Sequence, residues 1–168
     1  MNIVNTIKEI LPSSLKHMLR EKNFLGRAGR GLTVFDDDIF VVSYPKSGNT
    51  WTRFLIANLF YKGEEITFAN IEGKVPDIYQ STDRALRKMA RPRIIKSHEY
   101  FDPRYRRVIC IVRDPRDVAV SYYHHLIKTR FFNESYPKEL FVERFLDANW
   151  DTFGSWGDNL GSWIGARD

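Results

Sequence analysis

A continuous run of apolar and β-branched residues at positions 39–44, stopped abruptly by a short polar loop, constrains the fold of this chain most. Runs of this kind are typical of a parallel strand that is buried on both faces. A helical pattern follows over residues 49–61 and places Trp51, Leu55, Ile56 and Leu59 on one face. The order of strand, tight loop and helix predicts a β-strand–α-helix unit.

The same pattern recurs along the chain. Residues 93–97 and 107–112 read as two further strands, and helices are expected at residues 115–128 and 138–149. Asp114 is placed to cap the first of these helices, and Pro115 suits its first position. Alternating strands and helices predict an α/β layered fold with a parallel sheet.

The 168 residues predict one domain, spanning residues 39–168, after a lead-in at residues 1–38. Within the lead-in, residues 3–19 read as two short helices separated at Pro12, and residues 20–38 read as loop. We expect the helices to pack on the domain, with contact to a membrane surface as the alternative. No run of about 18 apolar residues and no signal peptide is present, so a cytoplasmic protein without a transmembrane segment is expected.

The net charge of +5 suits an anionic ligand such as a nucleotide, although a nucleic acid, an acidic membrane surface or a simple solubility bias would fit charge alone. Cys110 is the single cysteine and lies in an apolar run, which predicts a buried structural thiol. With no clustered His, Cys or carboxylate ligands, no metal site is predicted.

The first candidate site is the loop at residues 44–51, here called the lysine loop. A glycine loop between a strand and a helix N-terminus directs backbone N–H groups at an anion. Lys46 adds a positive charge, two hydroxyls add donors, and an indole offers a flat face for a base. The lysine precedes the glycine, unlike the lysine of the G-x-x-x-x-G-K-[ST] loop that binds nucleoside triphosphates. The loop reads Tyr44-Pro45-Lys46-Ser47-Gly48-Asn49-Thr50-Trp51.

Two further segments fall on the carboxyl edge of the predicted sheet, where ligands bind in open α/β folds. Arg113 ends one strand and can form a fork of hydrogen bonds to a phosphate, with Ser121 two helical turns further on. His98 follows the short strand and is a candidate general base, because its ordinary pKa is near ~6.5. Lys96 is suited to stabilising negative charge on a transferring group.

Taken in this order, the three segments resemble those of the sulfotransferases that use 3′-phosphoadenosine-5′-phosphosulfate (PAPS) and release 3′-phosphoadenosine 5′-phosphate (PAP). Gly154-Ser155-Trp156 with Ser162-Trp163 resembles the stretch beside the acceptor site of that family. The likeness spans about residues 39–163. It implies a three-layer fold like that of the P-loop nucleoside triphosphate hydrolases and transfer of the sulfuryl group to a hydroxyl or amine of a small-molecule or carbohydrate acceptor.

The resemblance also implies a role for each matching residue, with PAPS as co-substrate and no metal. On the nucleotide side, Lys46 would contact the phosphosulfate and assist the leaving phosphate, Trp51 would stack on adenine, and the 5′ side would be cradled by Ser47, Gly48, Asn49 and Thr50. Arg113 and Ser121 would hold the 3′-phosphate. At the acceptor, His98 would take the proton and Lys96 would steady the transition state.

The chain departs from the family pattern at three places. Asn49 stands where many relatives carry threonine, and its amide is still able to donate. Asn159 lies in the segment Gly157-Asp158-Asn159, where many cytosolic members place a histidine, which leaves the acceptor type open. No Arg-Lys-Gly segment, which completes the 3′-phosphate and adenine site in the family, occurs near the C-terminus. We therefore expect the first part of a domain or a truncated homologue, which an oligomer or a further segment would complete.

Two other functions remain open from the sequence. A kinase or nucleotide hydrolase of the P-loop kind is the alternative enzyme, although the lysine stands before the glycine and Asp114 is the only candidate Mg²⁺ ligand after an apolar strand. A truncated remnant that binds PAPS without turnover is the non-catalytic alternative. No nucleic-acid partner is predicted.

Overall fold

The computed structural model describes residues 31–147 and 153–166. Three strands, β1 (Ile39–Ser43), β2 (Ile94–Ser97) and β3 (Arg107–Ile111), form a parallel sheet in the order β2-β1-β3. The apolar run makes β1 the central strand, and Ile39 lies opposite both Ile94 and Arg107. The predicted parallel sheet is confirmed.

Helices follow the strands as the sequence pattern predicts, and the structure contains further helices that the pattern did not predict. The helices are α1 (Asn49–Phe60), α2 (Asp83–Leu86), α3 (Pro115–Lys128), α4 (Lys138–Leu146) and α5 (Trp156–Ile164), with a short 3-10 helix at Ile71–Gly73. The helix predicted at residues 138–149 ends at Leu146, and residues 148–152 lie outside the described part. The sequence pattern did not predict α5, because two glycines interrupt its nine residues.

The start of α3 shows how local sequence fixes this part of the fold. The side chain of Asp114 accepts a hydrogen bond from the backbone N–H of Arg116, and Pro115 occupies the first turn. The predicted cap is therefore confirmed. Beyond the cap, α3 packs against α4 in an aromatic-rich core whose buried members are Tyr44, Val118, Tyr122, Tyr123, Leu126, Phe141 and Phe145.

A buried ion pair fixes the approach to the sheet. Arg93, just before β2, and Asp38, just before β1, have fully buried side chains and form two hydrogen bonds of 2.8 and 2.5 Å. The backbone N–H of Ile39 also donates to the carbonyl of Arg93. The amino ends of β1 and β2 are thus held together by charge as well as by strand pairing.

The helix predicted after the lysine loop is confirmed as α1, and most of its apolar face is exposed. Trp51 is 76% and Leu59 is 64% exposed, because the helix buries Arg53 and Ala57 instead. Arg53 donates to the carbonyl of Val75 at 2.8 Å, which turns the polar face of the helix inward.

The prediction of a buried thiol at Cys110 is wrong, because this cysteine is exposed. The residue lies on β3, which is an edge strand of the described sheet. Its apolar neighbours still remove enough water from the thiol to raise its pKa.

The chain divides into two compact units, Met1–Leu32 and Thr33–Asp168, and the sheet and helices above belong to the second. The two helices predicted within residues 3–19 lie outside the described residues, and the domain boundary at residue 39 stays a prediction. Of the helices in the described ranges, none combines the length and apolarity that crossing a bilayer requires.

Candidate active site

The lysine loop leaves β1 through a backbone that few residues adopt. Lys46 has a φ of 67° and Gly48, at the N-cap of α1, has a φ of 101°. A left-handed conformation costs a non-glycine residue on the order of 1–3 kcal/mol, and such strain clusters at ligand sites. The loop ends at the N-terminus of a twelve-residue helix, whose first N–H groups have no carbonyl within the helix to bond.

A cavity of about 550 Å³ opens beside this helix N-terminus and joins the three predicted segments. It brings together eight of the ten predicted site residues; Ser47 and Lys96 do not line it in the described part of the chain. Its lining consists of Pro45, Lys46, Gly48, Asn49, Thr50, Trp51, His98, Arg113, Ser121, Tyr122, His125 and Phe153.

Positive charge is concentrated at one side of the cavity. Partial burial, followed by the repulsion of Lys128 and Arg113, lowers the pKa of Lys46. The guanidinium of Arg113 also donates from Nη1 to the carbonyl of Lys46 at 3.1 Å. The two predicted anion sites are therefore in direct contact, and an anion placed between them would relieve the repulsion among these cations.

Two residues of the lysine loop, Ser47 and Asn49, have buried side chains. The amide of Asn49 donates to the carbonyl of Val41 and to the hydroxyl of Ser43, both at 3.1 Å, so it ties α1 to β1. Its backbone N–H lies in the first turn of α1, where N–H groups have no carbonyl partner within the helix. Ser47 is buried, and its hydroxyl has no hydrogen-bond partner within the described residues.

His98 is held in one tautomer by the end of β1. Its Nδ1 lies 2.7 Å from the carbonyl oxygen of Ser43, and because a carbonyl only accepts, Nδ1 carries the proton. The other ring nitrogen, Nε2, is therefore left with its lone pair. Burial, reinforced by the positive charge of Lys96, lowers the pKa of His98 to about 3. The ring is neutral at physiological pH and is able to accept a proton.

Lys96 lies on β2, two residues before His98, and its side chain forms an ion pair outside the cavity. Its ammonium pairs with Asp77 at 2.5 Å, and both side chains are nearly buried. The predicted contact with a transferring group would require this pair to break. Lys96 therefore acts on His98 through its charge, whereas Lys46 and Arg113 are cations that line the cavity.

Four residues that line this cavity were not predicted as site residues: Pro45, Tyr122, His125 and Phe153. His125 lies one helical turn after Ser121 on α3, and both line the cavity. Burial and the positive charges of Lys46 and Lys128 lower the pKa of His125. The four-residue spacing from Ser121 was a signal that would have found it. No comparable signal existed for Phe153, whose ring packs edge-on against His98 with centroids 5.5 Å apart.

A second cavity, of about 420 Å³, lies between α3 and α4. Its walls are mainly apolar and include Ala119, Val142 and Leu146. Two cationic residues line it: Arg116 is paired with Asp114 at 2.6 Å, and the ammonium of Lys138 lies 5.9 Å from the centroid of the Tyr123 ring. The cavity beside the lysine loop, where cations, a helix N-terminus and a neutral histidine converge, is therefore the better candidate for binding and turning over an anion.

Comparison with known proteins gives one family. The family model described as the sulfotransferase domain matches residues 36–168. Bovine (Bos taurus) Sulfotransferase 1E1 is 32% identical over 142 residues, covering 76% of this chain and 48% of that protein. The amine sulfotransferase of the rabbit (Oryctolagus cuniculus) is 30% identical over 139 residues, covering 76% of this chain and 46% of that protein. The chain spans about half the length of the curated relatives it matches.

Solved structures give the same result for the fold. A mouse sulfotransferase complexed with PAP superimposes with a TM-score of 0.62 at 25% identity, covering 82% of this chain and 50% of that one. A retinol dehydratase in a complex with retinol and PAP gives a TM-score of 0.60 at 19% identity, covering 82% and 53%, and supports the fold alone.

Proposed function

The chain belongs to the sulfotransferase domain family, and from that premise we propose that it binds PAPS and transfers the sulfuryl group to a hydroxyl or amine of a small-molecule or carbohydrate acceptor. One observation carries the proposal: Lys46, Arg113, Ser121 and His98 line one cavity of about 550 Å³. The mouse relative complexed with PAP supports the choice of nucleotide. A kinase or nucleotide hydrolase is not favoured by any of the relatives named above.

The nucleotide is recognised through two anion sites on one wall. The N–H groups at the start of α1 and the ammonium of Lys46 bind the 5′-phosphosulfate, since both present positive charge to the same space. Arg113 and Ser121 bind the 3′-phosphate with a charge-assisted fork and a hydroxyl donor. The exposed indole of Trp51 lies on the cavity wall and stacks on the adenine.

The bound co-substrate supplies the activated sulfuryl group. Nε2 of His98 accepts the proton of the acceptor hydroxyl or amine as that atom bonds to sulfur. The bond from sulfur to the bridging phosphate oxygen breaks, and its electron pair leaves with PAP. Lys46 stabilises the negative charge that accumulates on the leaving phosphate. We assign this role to Lys46 rather than Lys96, because Lys96 is already paired with Asp77.

A bound anion in the cavity should also change the pKa of His98. Lys46 is among the positive charges that keep the pKa of His98 low, and a bound bisphosphate neutralises it. Burial is the main cause of the low pKa and remains in the complex, so the nucleotide should raise the pKa of His98 only by the share that Lys46 contributes.

Transfer of labelled sulfate from PAPS to a panel of carbohydrates, phenols, alcohols and amines tests this function. His98→Asn, which removes the imidazole, should lower the rate on the order of 10²–10⁴-fold. His124→Asn serves as the matched control, since His124 is exposed on α3 and does not line the cavity beside the lysine loop. Near-normal turnover of His98→Asn would contradict the assignment and make Glu99 the next candidate base. Binding of PAP without transfer to any acceptor would favour the non-catalytic alternative.

A further inference from the structure

The segment that carries His98 is fixed by three different parts of the chain. The ring Nδ1 contacts the carbonyl of Ser43 at the end of β1, and the backbone N–H donates to the hydroxyl of Tyr79 at 3.0 Å. The backbone carbonyl accepts from the side-chain amide of Asn159 on α5 at 3.1 Å. Ring, N–H and carbonyl of one residue are thus each held by a separate element.

Helix α5 forms hydrogen bonds with three residues of this segment. Besides the bond from Asn159, the indole N–H of Trp163 donates to the carbonyl of Glu99 at 3.0 Å. The hydroxyl of Ser162 accepts from the backbone N–H of Phe101, also at 3.0 Å. Asn159 is 1% exposed and does not line the cavity described above, so it acts on the site through the backbone rather than by contact with a ligand.

We propose that Asn159 is a positioning residue that sets the orientation and tautomer of His98 through the backbone carbonyl of that residue. The identification of His98 as the general base rests on the proposed function. The hydrogen bonds that hold His98 do not depend on that function. The bond to Asn159 fixes the peptide plane after His98 and hence the direction of its Cα–Cβ bond. That direction keeps Nδ1 within 2.7 Å of the Ser43 carbonyl, and this contact is what leaves Nε2 unprotonated.

Loss of the amide leaves a carbonyl at a buried contact without its donor, which a rotation of the peptide relieves. The ring then moves relative to Ser43, and the Nε2-protonated tautomer gains population. Asn159, in the segment where many family members place a histidine, is therefore assigned to alignment of the base rather than to contact with the acceptor.

Nitrogen NMR of the histidine rings in the full chain, without nucleotide, reads this tautomer directly. The unsubstituted chain should show His98 neutral with the proton on Nδ1; a proton on Nε2 there overturns the proposal without any variant. In Asn159→Ala the His98 signals should shift towards a mixture of tautomers. Asn159→Ser, a smaller perturbation, provides the same reading if the alanine variant does not fold.

Ser162→Ala is the matched control, because it removes the bond that Phe101 of the same segment donates to the same helix. It also removes the bond of 2.7 Å from the Ser162 hydroxyl to the backbone carbonyl of Asn159 within α5, but it keeps the side-chain amide of Asn159. It should leave the His98 ring signals unchanged. A folded Asn159 variant with unaltered His98 signals overturns the proposal, and so does an equal shift in Ser162→Ala, which would assign the effect to docking of α5 as a whole.

Kinetics separate this proposal from the proposed function. If the chain transfers sulfate, Asn159→Ala should lower kcat by about 10²-fold while KM for PAPS stays unchanged, as expected for a misplaced base. An increase in KM for PAPS with unchanged kcat would contradict positioning. Absence of transfer in a chain whose His98 has the expected tautomer would refute the function and leave the positioning role in place.

Discussion

The stability of the fold should depend on pH through His98, and the structure gives both the sign and the size of the effect. Its pKa is about 3 in the fold against 6.5 for the ordinary side chain. Between about pH 3 and pH 6.5, His98 is therefore protonated in the unfolded chain but not in the folded chain. The contribution of the neutral His98 ring to the free energy of unfolding is fully present above about pH 6.5, and it is lost as the pH falls towards about 3.

The slope in this window is about 1.4 kcal/mol for each pH unit. Between about pH 7.5 and pH 5, the free energy of unfolding should fall by about 2 kcal/mol, a large part of the 5–15 kcal/mol typical of a domain. Several aspartates whose pKa values are lowered, such as Asp114 at about 2, add their own losses only below about pH 4. Measurements above about pH 5 therefore isolate the histidines.

Urea unfolding followed by tryptophan fluorescence at several pH values measures this free energy. His98→Asn keeps an amide able to donate to Ser43 but has no titrating ring, so most of the pH dependence should disappear. His125 shifts in the same direction but is exposed, so His125→Asn is the control and should keep most of the dependence. An unchanged slope in His98→Asn would refute the burial and neutrality assigned to this ring.

Three other changes test the fold and the loop. Gly48→Ala should lower the free energy of unfolding in urea by about 1–2 kcal/mol, because alanine is strained at the φ of 101°. An added Cβ would meet no atom within 4 Å, so no steric clash adds to this cost. Arg93→Met should cost about 3–5 kcal/mol in the same measurement, because it leaves Asp38 charged and buried. PAP should protect Trp51 from acrylamide quenching, and Trp51→Phe should abolish that protection; equal quenching with and without PAP would contradict the stacking role.

The sequence predicted what depends on local pattern. The apolar run 39–44 and the capped helix at residue 115 specify a strand and a helix through nearest neighbours alone, and both were confirmed. Because parallel strands end at the same edge, the placement of Arg113 and His98 beside the lysine loop also followed from the order of elements.

What the sequence could not predict depends on contacts between distant residues. The pairing of Lys96 with Asp77 and the burial of Arg53 against Val75 join residues about twenty positions apart, and no local pattern signals them. The exposure of Cys110 depends on the position of β3 at the sheet edge, which the strand order decides. Helical periodicity alone could not tell which face of α1 would be buried.

Binding of PAP to the chain, measured by titration calorimetry against 5′-AMP and ATP, tests most directly the claim that Lys46 and Arg113 form two anion sites in one cavity. PAP should bind more tightly than either competitor, and Arg113→Ala should weaken PAP roughly 10- to 150-fold, the loss of one charge-assisted hydrogen bond. Arg116→Ala, at an exposed arginine paired with Asp114, should bind PAP normally. Equal affinity for PAP and 5′-AMP would contradict the account, because the second anion site would then contribute nothing.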